Sequence, residues 1–341
     1  MKTTQWIDLR SDTVTKPTAP MLESMMEASV GDDIFGEDPT VSLLESKVAQ
    51  LFGKEAGIFC PSGTMTNQIA IKIHTQPGDE VICDQTAHIY HYEGGGVAYN
   101  AGVSLRMIAG NKGRFTATDV LDNINPDDIH FPKTSLISIE NTSNKGGGSI
   151  WDIEEIKKIA QVAALNNLRM HLDGARVFNA VIESPYSTQA LGKYFNTISV
   201  CLSKGLGAPV GSVLVGSHES VLKAKRVRKV LGGAMRQAGY LAAAGIYALD
   251  HHIDRLAEDH QRAKQLEEIF VTKPYVQEVL NAGTNIVVLK IDPKIDTNLL
   301  LSEWKEKGLL AVGFGKNQIR LVTHLDFTDE QLQKIKEIKL L

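Results

Sequence analysis

"TISVCLSKGLGAPVGSVLVG", running from Thr197 to Gly216, holds the reading of the whole chain. A β-branched, apolar run ends at Ser203 and Lys204, a turn with Gly205, Gly207 and Gly211 follows, and a second short strand closes the stretch. A surface lysine needs no such setting. A lysine that must bond covalently to a cofactor aldehyde does. Beside an apolar or cationic site its pKa falls and its amine becomes a nucleophile. The glycines let the backbone pass close to a ligand.

Working outward, the same strand-then-turn grammar repeats. Strand-like "AGIFC" (56–60), "EVICD" (80–84), "SLRMIA" (104–109), "TSLISIEN" (134–141) and "RMHLDGA" (169–175) are separated by helical stretches such as "MTNQIAIKIH" (65–74) and "IEEIKKIAQVAALNN" (153–167). Strands alternating with helices predict an α/β fold with a mostly parallel sheet and right-handed crossovers. "APMLESMMEASV" (19–30) and "DPTVSLLESKVAQLFG" (38–53) read as earlier helices, and residues 235–270 as one long helix. After it, "TNIVVLKI", "LLLSEWKEKGL", "LAVGFG" and "QIRLVTH" form a compact α+β pattern. The expected division is an arm over 1–15, a large domain over 16–250 and a small C-terminal domain over 251–341.

Three further features fall at strand ends, where open α/β sheets gather their ligands. In "CPSGTMTN" (60–67), Ser62, Gly63 and Thr64 lie between a strand and a helix start, where N–H groups and hydroxyls can hold a phosphate; the same turn is also an ordinary helix cap. In "HLDGARVFNA" (171–180), Asp173 either caps the next helix or holds a protonated ring nitrogen, the pairing that makes pyridoxal phosphate an electron sink; Arg176 can reach the same cavity. In "DQTAHIYHYEGGG" (84–96), His88 is placed to stack on such a ring. Lys204 follows Asp173 by 31 residues, the span of one helix and one strand.

Composition narrows the partners. The chain has 341 residues and a net charge of -4, which argues against nucleic acid. "KAKRVRK" (223–229) reads either as a solvated helix face or as an anion site at a subunit interface. Cys60, Cys83 and Cys201 are odd in number and widely spaced, so they predict core thiols in a reducing compartment, not disulfides. No targeting leader, membrane span or metal-ligand set is read, and a cytoplasmic setting is expected. No strand leads into a dinucleotide fingerprint, which disfavours an NAD enzyme.

The ordered set of S-G-T turn, histidine, D-x-A-R and S-K-G resembles the fold type I pyridoxal-phosphate enzymes, the aspartate aminotransferase-like class. "IDLRSDTVTKPT" (7–18), "GDDIFGEDPTV" (31–41), "CPSGTMTNQIA" (60–70), "HLDGARVFNA", "CLSKGLGAPVGSVLVG" and "LGGAMRQAG" (231–239) are together similar to the low-specificity threonine aldolases, and "QIRLVTH" (318–324) adds a late match. The resemblance covers nearly the whole chain. It implies a three-layer αβα large domain with a small C-terminal domain, pyridoxal 5′-phosphate as cofactor, and cleavage of L-threonine or L-allo-threonine to glycine and an aldehyde. It implies Lys204 as the cofactor-bonded lysine, Asp173 on the ring nitrogen, His88 against the ring, and Gly63 and Thr64 on the phosphate, with Arg236 contributed by a neighbouring subunit. Ser11, Arg176 and Arg320 then bind the substrate carboxylate, and His88, or a water held by His88 or Glu93, takes the hydroxyl proton. A homodimer or homotetramer with shared sites is implied. Where the family often has histidine, this chain has Ser143, which bears on threonine against allo-threonine. A β-eliminating lyase or an aminotransferase is the rival on the same scaffold; a degenerate, non-enzymatic module is disfavoured because Lys204, Asp173 and the S-G-T turn are intact.

Overall fold

A computed structural model describes residues 6–281 and 283–338. Its central sheet is built from β1 (Ala56–Cys60), β2 (Glu80–Asp84), β3 (Ser104–Ile108), β4 (Thr134–Glu140), β5 (Arg169–Gly174), β6 (Thr197–Cys201) and β7 (Ser212–Gly216). The spatial order is β1-β7-β6-β5-β4-β2-β3. Every pair is parallel except those made by β7, which runs antiparallel between β1 and β6. All of β4 is buried, as expected of a central strand covered on both faces.

Alternate side chains of each strand feed two different cores. Phe59 and Val213 join the helix Pro39–Leu51 (α1) through Leu44 and Val48 on one face. Ile58, Cys60 and Leu214 join Gly63–His74 (α2) and His218–Val230 (α3) through Ile69, Ala70, Val221 and Ala224 on the other. That period of two produces the helix–sheet–helix sandwich.

The expected helix over 235–270 is two helices, Gly239–His251 (α4) and Leu256–Phe270 (α5). Neither glycine nor proline marks the break. Instead His252 Nδ1–H donates to the carbonyl of Leu206 at 2.7 Å, tying the interruption to the turn that follows Lys204. Beyond it, β8 (Val276–Asn281), β9 (Ile286–Ile291), β10 (Val312–Gly315) and β11 (Gln318–Val322) form an antiparallel sheet in the order β10-β11-β9-β8. It has its own core around Phe270 and Trp304.

Residues 1–5 of the expected arm and 339–341 of the expected small domain lie outside the described residues. The rest of the arm is tied down: Ile7 and Asp8 pair in parallel with Leu309 and Leu310, and Ile7 and Leu9 are buried in the C-terminal core. Among the described residues no helix is long and apolar enough to cross a membrane.

Candidate active site

The carboxyl ends of the parallel strands carry the chemistry to one sheet edge. β1 leads into Ser62, β2 into His88, β4 ends at Glu140, β5 carries Asp173 and β6 leads to Lys204. Glu140 and Asp173 are register partners on adjacent strands.

Ser62 caps α2, its Oγ accepting the N–H of Met65 at 3.2 Å. The first N–H groups of a helix have no intrahelical partner and, with the helix dipole, favour an anion. A Cβ on Gly63 would stand 3.5 Å from Ser212 Oγ, a buried hydroxyl beside the Cys201 thiol. Gly211 is at φ +116, and a Cβ there would press on the Phe59 ring at 2.5 Å, so only glycine fits where the turn rejoins the sheet. Lys204 Nζ lies 3.6 Å from Cys201 Sγ. Burial alone would raise that thiol's pKa, but Lys204 and Ser203 outweigh it and bring it below the ordinary value.

Asp173 Oδ1 accepts from Ala175 N at 3.1 Å and Oδ2 from Asn67 Nδ2 at 2.9 Å. Both donors are neutral, so a buried carboxylate stands without a lysine or arginine among its described hydrogen-bond partners. The second N–H of Asn67 goes to Glu93 Oε1 at 2.8 Å, and the same oxygen accepts His88 Nδ1–H at 3.0 Å. Burial works against charge on His88, yet the bond to Glu93 and the fields of Asp173, Glu93 and Glu140 leave its pKa raised. Glu140 accepts the N–H groups of His88 and Asn144; burial and the nearby Asp173 push its carboxyl up to about 7. Ligand atoms of His88, Glu93 and Asp173 come within 4.8 Å of one another, a spacing that would suit a metal. Asn67 already donates to both carboxylates there, so the arrangement reads as a hydrogen-bond network.

The carboxylate-binding candidates divide. Arg176 makes a buried two-pronged pair with Asp12, with Nε and Nη2 each 2.7 Å from a carboxylate oxygen. Asn285 Nδ2 adds a third donor to Asp12 at 3.1 Å. Arg320 donates to Asn144 Oδ1 at 2.8 Å and to the carbonyl of Arg10 at 2.9 Å, while its buried Nε–H has no partner. Burial first, and then the neighbouring Arg176, lower its pKa to about 10. No carboxylate is among the described hydrogen-bond partners of this half-buried guanidinium. Ser11 caps a short turn, accepting from Thr13 N at 3.2 Å.

Arg236 pairs with Asp32 at 2.9 Å on an exposed loop, and Gly233 of that loop packs on Met65 and Pro61 at the start of α2. Ser143 is buried, and its Oγ accepts Gly146 N–H at 3.2 Å. In "KAKRVRK", Lys223 pairs with Glu219 on the exposed face while Arg228 is buried and donates to Phe59 O and Asp33. The three cysteines are free and buried.

Four polar residues of this edge escape a reading by motif: Asp12, Asn67, Glu140 and Asn144. A usable signal existed for two of them. Asp12 adjoins Ser11, and Asn67 lies one helical turn beyond Gly63, on the same face of α2.

Comparison with known proteins gives a consistent picture. The β-eliminating lyase family model matches residues 8–292. The low specificity L-threonine aldolase of Escherichia coli is 42% identical over 340 residues, covering 96% of this chain and 97% of its own. The probable low-specificity L-threonine aldolase 2 of Arabidopsis thaliana is 39% identical, covering 98% and 96%. Among solved structures, a Leishmania major threonine aldolase superposes with a TM-score of 0.83 at 18% identity, covering 97% of each chain. A putative L-allo-threonine aldolase from Listeria monocytogenes does so with 0.80 at 20% identity, covering 98% and 95%. At those identities the likeness speaks to the fold.

Proposed function

The chain belongs to the β-eliminating lyase family, among the low-specificity L-threonine aldolases, and from that premise we propose how its own residues cleave L-threonine and L-allo-threonine to glycine and acetaldehyde. The observation that carries the reading is the half-buried Arg320 guanidinium, whose Nε–H is buried without a partner, on the same edge as Lys204 and Asp173. The residues fit pyridoxal 5′-phosphate. The N-terminus of α2 with the buried Ser212 hydroxyl near Gly63 suits its phosphate, and Asp173, with only neutral donors, suits a protonated ring nitrogen.

When bound, the cofactor supplies an electron sink for the pair released as the Cα–Cβ bond breaks. Lys204 provides the amine that anchors it, and Ser62, Gly63 and Thr64 hold its phosphate. Arg320, with Arg176 and Ser11 beside it, holds the substrate carboxylate, which fixes the Cα–Cβ bond in orientation. His88 donates Nδ1–H to Glu93, so Nε2 carries the free lone pair, and the surrounding carboxylates make it a better base. It takes the β-hydroxyl proton directly or through a water. Arg236 and the shared-site homodimer or homotetramer belong to the same reading, as do a cytoplasmic setting and the division at 15 and 250.

His88→Ala is expected to slow cleavage about 10²–10⁴-fold while the protein keeps its bound cofactor; unchanged turnover would remove the base from His88. The reaction itself is tested by giving the cofactor-loaded protein L-threonine and L-allo-threonine separately. Acetaldehyde matched by glycine is the expected product pair. Ammonia with a keto acid in its place would move the function to elimination or transamination.

A further inference from the structure

Among the described residues, Asn67 is the side chain that donates a hydrogen bond to both Asp173 and Glu93. Its amide cannot be turned the other way. Carboxylate oxygens only accept, so the nitrogen must face Asp173 Oδ2 (2.9 Å) and Glu93 Oε1 (2.8 Å), and both of its hydrogens are spent there. The oxygen therefore faces His171, 3.1 Å away, and His171 must donate from Nε2. Its Nδ1 is then an acceptor, filled by the Thr197 hydroxyl at 3.0 Å. The Thr197 oxygen in turn accepts Nε2–H of His74 at 3.0 Å. Every hydrogen bond in the row points the same way, toward the two carboxylates. The row crosses from α2 through β6 and β5 and involves no mobile charge. Burial, outweighing the pull of Asp173, lowers His171 to about 4, and burial lowers His74 to about 3, so both are neutral at neutral pH.

We infer that Asn67, locked in one orientation by His171, is a positioning residue that fixes Asp173 and the Glu93–His88 pair as a single rigid unit. The inference rests on the reading of Asp173 as the partner of the cofactor ring nitrogen. Its logic is electrostatic. A hydrogen bond to the ionised form of a carboxylate favours that form. Without the Asn67 N–H, Asp173 binds a proton more tightly and draws it from the ring. The same loss releases Glu93, and with it the imidazole that Glu93 orients. The other ionisable groups facing this spot are Glu140 on the neighbouring strand β4 and His88 after β2, and neither bonds Asp173 directly.

The test is a pH titration of the visible absorbance of the holoenzyme. A less positive ring acidifies the lysine-bound nitrogen less, so the midpoint moves upward when Asp173 loses support. Asn67→Leu is expected to raise it by about one pH unit, and to lower kcat with little change in KM. His171→Phe leaves both carboxylate contacts in place but frees the amide to turn; it should move the midpoint the same way by less, and serves if Asn67→Leu does not fold. Asp173→Asn sets the scale. Midpoints unmoved in both network variants, with a large response in Asp173→Asn, overturn the positioning role alone. No response in Asp173→Asn overturns the ring-nitrogen reading, and this inference with it.

Discussion

Lys204→Ala is expected to lose the visible absorbance of bound cofactor and to cut cleavage by more than about 10⁴-fold, the range reached when a covalent catalytic group is removed. The size of the effect follows from what has no substitute. In the Lys204 side chain's described surroundings the contacts are the Cys201 thiol and the field of Asp12, and neither offers an amine. Lys204→Arg should do no better, because a guanidinium does not give up its proton in a protein. Absorbance and steady-state rate, measured on cofactor-saturated protein, decide it. A variant that keeps the band, or that retains a tenth of the rate, would take Lys204 out of the role.

The largest effect on stability is expected at Asp12. Asp12→Ala strands the buried Arg176 guanidinium, and removing one partner of such a pair costs about 3–5 kcal/mol. Burial would raise the Asp12 carboxyl, but Arg176, Lys204 and Asn285 hold it far below the ordinary carboxylate value. A depressed folded-state pKa contributes stability that is complete above the unfolded value, 3.8, and is lost as pH falls through the folded one. The gap between wild type and variant should therefore stay constant from pH 8 to pH 5 and shrink only under about pH 4. Urea unfolding at several pH values measures this. A gap of less than about 1 kcal/mol at pH 7, the worth of an exposed pair, would mean that Arg176 finds another partner.

What was legible in the sequence follows from how far each signal reaches. β1, β2, β5 and β6 were readable because each is a short apolar run closed by a turn residue, and the catalytic candidates follow directly from where those runs stop. The inserted antiparallel strand β7 was readable as a strand but not as an insertion, since pairing order leaves no mark in a local pattern. The break between α4 and α5 was hidden for a related reason: the contact made there is with a carbonyl at Leu206, 46 residues away. β8 is interrupted by the adjacent Gln277 and Glu278 and gave no continuous apolar run. Asn67 and Asp12 left only a positional hint. Each is an ordinary polar residue in its own segment, and each acquires its role from a partner 106 and 164 residues distant respectively.

The pairing of Ile7 and Asp8 with Leu309 and Leu310 has a consequence for how the protein is made. Chains emerge from the ribosome at about 5–20 residues per second, and domains tend to fold as they appear. Here the strand at residues 7 and 8 must wait for its partner at residues 309 and 310, and Asp12, four residues after Asp8, waits with it. The large sheet can assemble while translation continues, but Arg176 stays without its anion until the C-terminal lobe arrives and seats the N-terminal strand. A nascent chain stalled before residue 309 would therefore hold all seven strands of the large sheet and an unfinished site, so competence waits for residues 309 and 310.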